Sequence, residues 1–207
     1  MRPATPQISA SNWKIPGTML LGYSLVWMLS AYKPWFPKDW WLENILVFIA
    51  IPLLIVTRNR FRFSNGNYGL ICLFLCFHSV GAHYTYAEVP YGQWFGLEID
   101  GGRNHYDRLV HFLFGLLIYP ALYELCNARF GLIGIWRSLV PLSLIMAQSE
   151  LYEIIEWQAA VWFGGELGQA YLGAQGDVWD AQKDSFAAAL GAILAMAVLA
   201  KRHKSDL

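Results

Sequence analysis

Apolar runs recur six times along the chain, over roughly residues 16–32, 42–57, 69–86, 109–126, 138–162 and 184–200. A bilayer hydrocarbon core about 30 Å thick is crossed by roughly 17–25 helical residues, and most of the runs reach that length once interfacial residues are added. The second run is the shortest, with fourteen residues between Glu43 and Arg58. Trp40 and Trp41 flank it, as suits the headgroup level. Pro52, Pro120 and Pro141 fall inside runs, which neighbouring spans tolerate by re-satisfying the freed carbonyls. Arg2 and Lys14 precede the first run as in a signal peptide, but Trp27, Leu29 and Tyr32 crowd the place where small cleavage-site residues belong, so a retained span is expected. The pattern predicts an all-α integral membrane protein, a bundle of about six transmembrane helices. Residues 16–200 form a single polytopic domain, with a flexible tail at 1–15 and a basic tail at 201–207. No internal repeat or linker interrupts it.

Composition sharpens this picture. The chain is 56% hydrophobic, 16% aromatic and only 14% charged, whereas a soluble domain carries about 25% charged residues. Lys plus Arg and Asp plus Glu each total 15, so net charge says nothing, but placement does. Ten of the fifteen Lys and Arg residues fall in segments 1–15, 58–68, 127–137 and 201–207, and five in the alternate connections 33–43, 88–108 and 163–184. The positive-inside rule then puts both termini in the cytoplasm. The run "RNRFR" (58–62) is the main anchor and an anionic-lipid contact, not a nucleic-acid patch. Ten acids lie in or beside the outer connections, and Glu124, Glu150, Glu153 and Glu156 lie inside runs. The three cysteines form no disulfide framework.

Ionisable groups inside a span are costly and mark functional sites. In "MAQSELYEIIEWQ" (146–158), Glu150, Glu153 and Glu156 step by three, covering an arc of about 120° and a rise of roughly 9 Å. That stripe, continued by Trp157, is expected to face the bundle interior or a wet cavity. Asp107 and His111 are four apart, as are Asp180 and Asp184, so each pair shares one helix face. Asp177 stands one turn earlier, and "FHSVGAHYTYAEVP" (77–90) adds His78 and His83. Four helices thus deliver carboxylates and imidazoles to the outer half, while Glu124 alone lies near the inner boundary. A helix dipole explains one aspartate at the start of the last run. Three aspartates opposite three glutamates require a metal ion, bound protons or basic partners. The nearby permanent cations are Arg103, Arg108 and Lys183.

Carboxylates with an imidazole suit Mg²⁺, Mn²⁺, Zn²⁺ or non-haem iron. The expected ligands of one divalent metal ion are Asp107, His111, Glu153, Asp180 and Asp184. Glu150 or Glu156 would act as general base, and Arg103, Arg108 and His83 would bind substrate. The chemistry expected is metal-assisted hydrolysis or transfer on a lipid or lipid-linked substrate, with membrane lipid as the partner and no nucleic acid. Two alternatives stand beside it. One is a non-catalytic membrane scaffold with acids paired across helices. The other is a small proton- or ion-coupled transporter, disfavoured by the apolar inner half and the lack of repeat symmetry. No G-x-S-x-G elbow or phosphate loop occurs. "GGELG" (164–168) and "LGAQG" (172–176) read as flexible loop glycines. The outer loop 88–108, with Tyr91, Trp94 and Phe95 at the headgroups and Gly101 and Gly102 as a hinge, is expected to cover the cavity as a lid.

Four motifs in order, "HYTYAEVPYG" (83–92), "RNHYDRLVHFLFG" (103–115), "ELYEIIEW" (150–157) and "GDVWDAQKD" (176–184), resemble the YjdF-like family of bacterial inner-membrane proteins. The resemblance covers roughly residues 40 to 200 and implies a polytopic protein of the inner membrane. It implies no activity, since that family is a domain of unknown function. "DRLVHF" (107–112) is also similar to the start of a span in VanZ-like membrane proteins, although Asp184 stands where that pattern has Asn.

Overall fold

The apolar runs become helices longer than themselves. The computed structural model describes residues 13–95 and 103–205. Its helices are α1 (Lys14–Ala31), α2 (Pro37–Thr57), α3 (Asn65–Tyr84), α4 (Tyr91–Phe95), α5 (Tyr106–Phe130), α6 (Trp136–Phe163), α7 (Gly165–Leu172) and α8 (Asp180–Ser205). No strand occurs among the described residues. The overrun is expected, because a backbone leaving lipid keeps its hydrogen bonds by continuing the helix into polar residues. So α8 continues to Ser205, through most of the expected basic tail. Among the described residues, α2, α5 and α8 are long and apolar enough to cross a membrane by length and composition. The helices α1, α3 and α6, of 18, 20 and 28 residues, are not among these three.

Hydrogen bonds gather the helix ends into two groups. At the basic end, the Glu124 carboxylate accepts from the Ser64 N–H at 2.9 Å and from the Asn67 amide, and Arg129 donates to the Arg60 carbonyl. At the acidic end, the Trp35 N–H donates to the His83 carbonyl at 3.0 Å, and Arg103 donates to the Ala174 carbonyl at 2.6 Å. Both α5 and α8 therefore run from the acidic end to the basic end, side by side. A Cβ on Gly115 would lie 1.9 Å from the Ala188 carbonyl oxygen, and one on Gly191 would lie 2.0 Å from that of Phe112. Small residues allow this approach, as between membrane helices generally. Ala188, Ala192 and Ala195 complete the seam, with Tyr119 and Ile145 buried against it. A second apolar cluster, around Tyr23, Val47, Phe74, Leu75 and Leu117, joins α1, α2, α3 and α5.

The glycine stretch after α6 is more ordered than its sequence implies. Gly164 and Gly165 take φ of +58° and +53° and reverse the chain. Gly168 then packs in α7, where a Cβ would lie 2.7 Å from the Ala160 carbonyl oxygen. Of the residues read as flexible loop, 165–168 thus belong to a helix against α6, while 173–176 after Leu172 stay outside it as a turn.

Candidate functional site

The parallel α5–α8 seam sets two helix N-termini next to each other, one carrying a single aspartate and the other two. Asp107 comes from the first turn of α5, Asp180 and Asp184 from the first two turns of α8. All three are buried, Asp184 to 1% exposure. One carboxylate oxygen from each lies within 4.8 Å of the others. Opposite ligands of a cation with bonds of 2.0–2.6 Å stand roughly 4–5 Å apart, so the trio has the dimensions of a cation site. His111 Nε2 is 3.6 Å from Asp107 Oδ1 and 3.3 Å from Glu153 Oε1. Its Nδ1 lies 3.2 Å from Ser149 Oγ. Of the five residues expected to ligate a metal, three thus share one group; His111 adjoins it through Asp107, and Glu153 through His111. Glu153 Oε1 and Asp184 Oδ1 are buried without a hydrogen bond.

Cations cover this cluster towards the acidic end. Arg103 pairs with Asp180, and Arg108 Nη2 lies 2.5 Å from Asp177 Oδ2 and 3.3 Å from Asp180 Oδ1. Arg108 Nε is 3.8 Å from Asp184 Oδ1. Both arginines expected to hold substrate are thus engaged by aspartates. Asp177, in the turn before α8, also accepts from Lys183 Nζ at 2.6 Å and from the Trp179 N–H at 3.1 Å. The Lys183 ammonium, with the Trp179 N–H and Arg108, holds the Asp177 carboxyl well below the usual carboxylate range. A depressed folded-state value stabilises fully above the ordinary 3.8 and is lost as pH falls below it. The acid limb of thermal stability between about pH 5 and 3 should therefore be flatter in Asp177→Asn than in wild type. Superimposable limbs would remove Asp177 as its source.

The glutamate stripe divides. The buried line of α6 is Ile145, Ser149, Glu153, Glu156 and Ala159, while Glu150 is exposed and accepts from Ser185 Oγ at 3.1 Å. Trp157 is 57% exposed. The reason is geometric: each three-residue step turns the stripe by about 60°, so three such residues cannot share one line. Glu150 and Trp157, seven residues apart, share the outer line instead. Of the two expected bases, Glu156 is interior and Glu150 lies at the rim. His83 is not brought to the carboxylates; its Nδ1 lies 2.9 Å from the Ser30 carbonyl oxygen and its ring packs on Tyr84. Of the expected lid, Tyr91–Phe95 form α4, and the Tyr91 hydroxyl accepts the His105 N–H at 3.0 Å. Gly101 and Gly102 lie outside the described residues.

A fifth helix, missed from sequence, adds two acids. Asp39 and Glu43 of α2 are 0% and 2% exposed, with Asn44 equally buried beside them. Thr85 donates to Asp39, and the Tyr152 hydroxyl donates to Glu43 Oε2 at 2.7 Å. His78 Nε2 lies 3.2 Å from the Glu43 carbonyl oxygen, and its Nδ1 is 2.5 Å from the Tyr86 hydroxyl. Thr85 and Tyr86 hold φ of +58° and +39°, a strained region for residues with a Cβ that persists where surroundings fix it. The signal was present: Asp39 and Glu43 have the same four-residue spacing as Asp180 and Asp184, at the start of a span.

The family described as "Predicted membrane protein (DUF2238)" matches residues 15–205. The "Inner membrane protein YjdF" of Escherichia coli (strain K12) is 36% identical over 196 residues, covering 91% of this chain and 90% of that protein. No solved structure matches the chain.

Proposed function

Because the chain belongs to the DUF2238 family of predicted membrane proteins, we propose that it is a six-span inner-membrane protein whose acidic end holds one divalent cation and performs metal-assisted hydrolysis or group transfer on a lipid or lipid-linked substrate. The spans are α1, α2, α3, α5, α6 and α8. Arg58, Arg60, Arg62, Arg129, Arg137 and Lys201 collect at or beyond one set of helix ends, and that end lies in the cytoplasm with both termini. The acidic end then faces the periplasm.

The observation that carries this reading is the buried trio Asp107, Asp180 and Asp184, with oxygens within 4.8 Å of one another. His111 joins through Nε2, while Ser149 on Nδ1 fixes its ring, the usual outer support of a metal-bound imidazole. Glu153 completes the set. These residues would hold the ion, which when bound would supply polarisation of a phosphoryl or carbonyl oxygen and an activated water. Glu156, three residues beyond Glu153 on the buried line of α6, serves as base. Arg103 and Arg108 exchange their aspartates for the substrate's phosphate, which guanidinium groups grip through paired hydrogen bonds.

One observation favours a second reading. The arginine–aspartate pairs already neutralise part of the cluster, so it would serve as a lock between α5 and α8 in a scaffold protein that binds no ion. The carrier reading gains nothing from the fold: below the acids the α5–α6–α8 seam is closed by Ile145, Ala188, Ala192 and Ala195. Metal analysis of the detergent-purified protein separates the first two. About one divalent ion per chain is expected, absent from Asp184→Ala and Asp107→Ala. A metal-free wild type after exposure to Mg²⁺, Mn²⁺ and Zn²⁺ would select the lock.

A further inference from the structure

A cavity of about 200 Å³ lies between α2, α3, α5 and α6, next to the carboxylate trio. Its apolar side is formed by Phe74, Val110, Phe114, Leu46, Leu151 and Ile155. Asp107 and His111 line it at the acidic end of α5, and His78, Tyr86, Gln148, Ser149 and Tyr152 add polar groups between. Along α5 the lining passes from Asp107 to Phe114, a drop of about 10 Å from the acidic end towards mid-helix. The Tyr152–Glu43 hydrogen bond ties α6 to α2 on the same side as the acids. Leu46, Leu151 and Ile155 line the cavity and are also exposed on the outer surface of the helices. The mouth therefore opens sideways, through the helix wall, where a membrane-spanning bundle meets lipid and not water.

We propose that this cavity binds one hydrocarbon chain of a membrane lipid, admitted sideways past Leu46, Leu151 and Ile155, with the chain's polar end at Asp107 and His111. The inference rests on the membrane setting and the reacting end proposed above, and names the substrate half of that site. The cavity's apolar side favours an apolar guest over water, since apolar surfaces stay dry and take apolar guests. An unfilled space would forfeit the dispersion contacts of its whole lining. At about 30 Å³ per water-sized group, and a methylene is close to that size, 200 Å³ accommodates roughly six or seven carbons. That is the stretch of chain nearest a headgroup, with the remainder left in the bilayer. An ester or phosphate at the head of the chain would then come to rest beside the aspartates. An acyl chain and a polyprenyl chain share this chemistry.

Photo-crosslinking in vesicles tests it, with the full chain reconstituted beside a phosphatidylethanolamine carrying a diazirine near the head of one acyl chain. A second arm uses a polyprenyl phosphate with a diazirine at the same distance. Labelled peptides are mapped by mass spectrometry. Label is expected on Phe74, Val110 and Phe114, and the arm that gives it identifies the chain type. Leu151→Trp with Ile155→Trp narrows the mouth from the lipid side and should cut that label at least about fivefold. Ile154→Trp, exposed on the same helix but absent from the cavity lining, should leave it unchanged. Label spread evenly over outward residues such as Ile49 and Leu53, with none on the α3 and α5 lining of the folded wild type in either arm, would overturn the proposal. So would undiminished lining label in the double variant. Metal content measured on the same samples keeps the two ideas apart. Lining label without metal removes the cation centre and leaves the cavity, and metal without lining label does the reverse.

Discussion

Gly191→Leu should fail to yield a monodisperse, cooperatively melting protein, and Gly115→Leu should fail with it. Overpacking a core costs about 1–3 kcal/mol where side chains can shift aside. Here the obstacle cannot shift, because a Cβ on Gly191 lies 2.0 Å from the Phe112 carbonyl oxygen and one on Gly115 lies 1.9 Å from that of Ala188. Both oxygens are held in helical hydrogen bonds, so α5 and α8 must separate as bodies. The cost therefore exceeds the ordinary range, to about 4 kcal/mol or more. Separation would also part Asp107 from Asp180 and Asp184, so any folded residue of these variants should hold no metal. Gly22→Leu is the control, since nothing lies within 4 Å of a Cβ there. Size-exclusion profiles and fluorescence-detected melting in detergent report the outcome. A Gly191→Leu protein that elutes and melts with wild type would mean that α5 and α8 do not pack through Gly115 and Gly191.

That seam also shows what a sequence can carry. The six long helices follow from runs of apolar residues, because length and hydropathy are written within each segment separately. Asp107 with His111, and Asp180 with Asp184, could be placed on single faces from spacing alone. What joined those pairs was the glycine contact between α5 and α8, a tertiary fact that no periodicity within either helix contains. The same limit hid α2. Asp39 and Glu43 look like headgroup-level acids beside Trp40 and Trp41 until Thr85 and Tyr152 reach them from other elements. In α6 the stripe was visible and its phase was not. Three glutamates at intervals of three specify an arc, and only the neighbours decide that Glu153 and Glu156 take its inner part. Charge counting likewise found Arg103 and Arg108 near the acids but could not show them paired.

Those pairs make Arg108 the sharpest probe of what the acids are for. Arg108→Met removes the guanidinium that bridges Asp177, Asp180 and Asp184. Breaking a fully buried pair costs about 3–5 kcal/mol. Arg108 is 21% exposed and Arg103 remains on Asp180, so about 2–3 kcal/mol is expected, read as a lower melting temperature in chelator. The effect of a cation then divides the readings. Two unit charges 4 Å apart interact by about 4 kcal/mol at an effective dielectric of 20. Even a third of that repulsion, lifted from an incoming ion, is about 1.4 kcal/mol and tenfold in affinity. If the trio is a metal centre, Mn²⁺ should restore most of the lost stability and bind Arg108→Met about tenfold more tightly than wild type. If the acids only lock α5 to α8 through arginine, Mn²⁺ should move neither melting curve. An ion that rescues the variant has to sit among Asp107, Asp180 and Asp184, so adding Asp184→Ala must abolish the rescue. Non-specific stabilisation by salt would survive that second substitution.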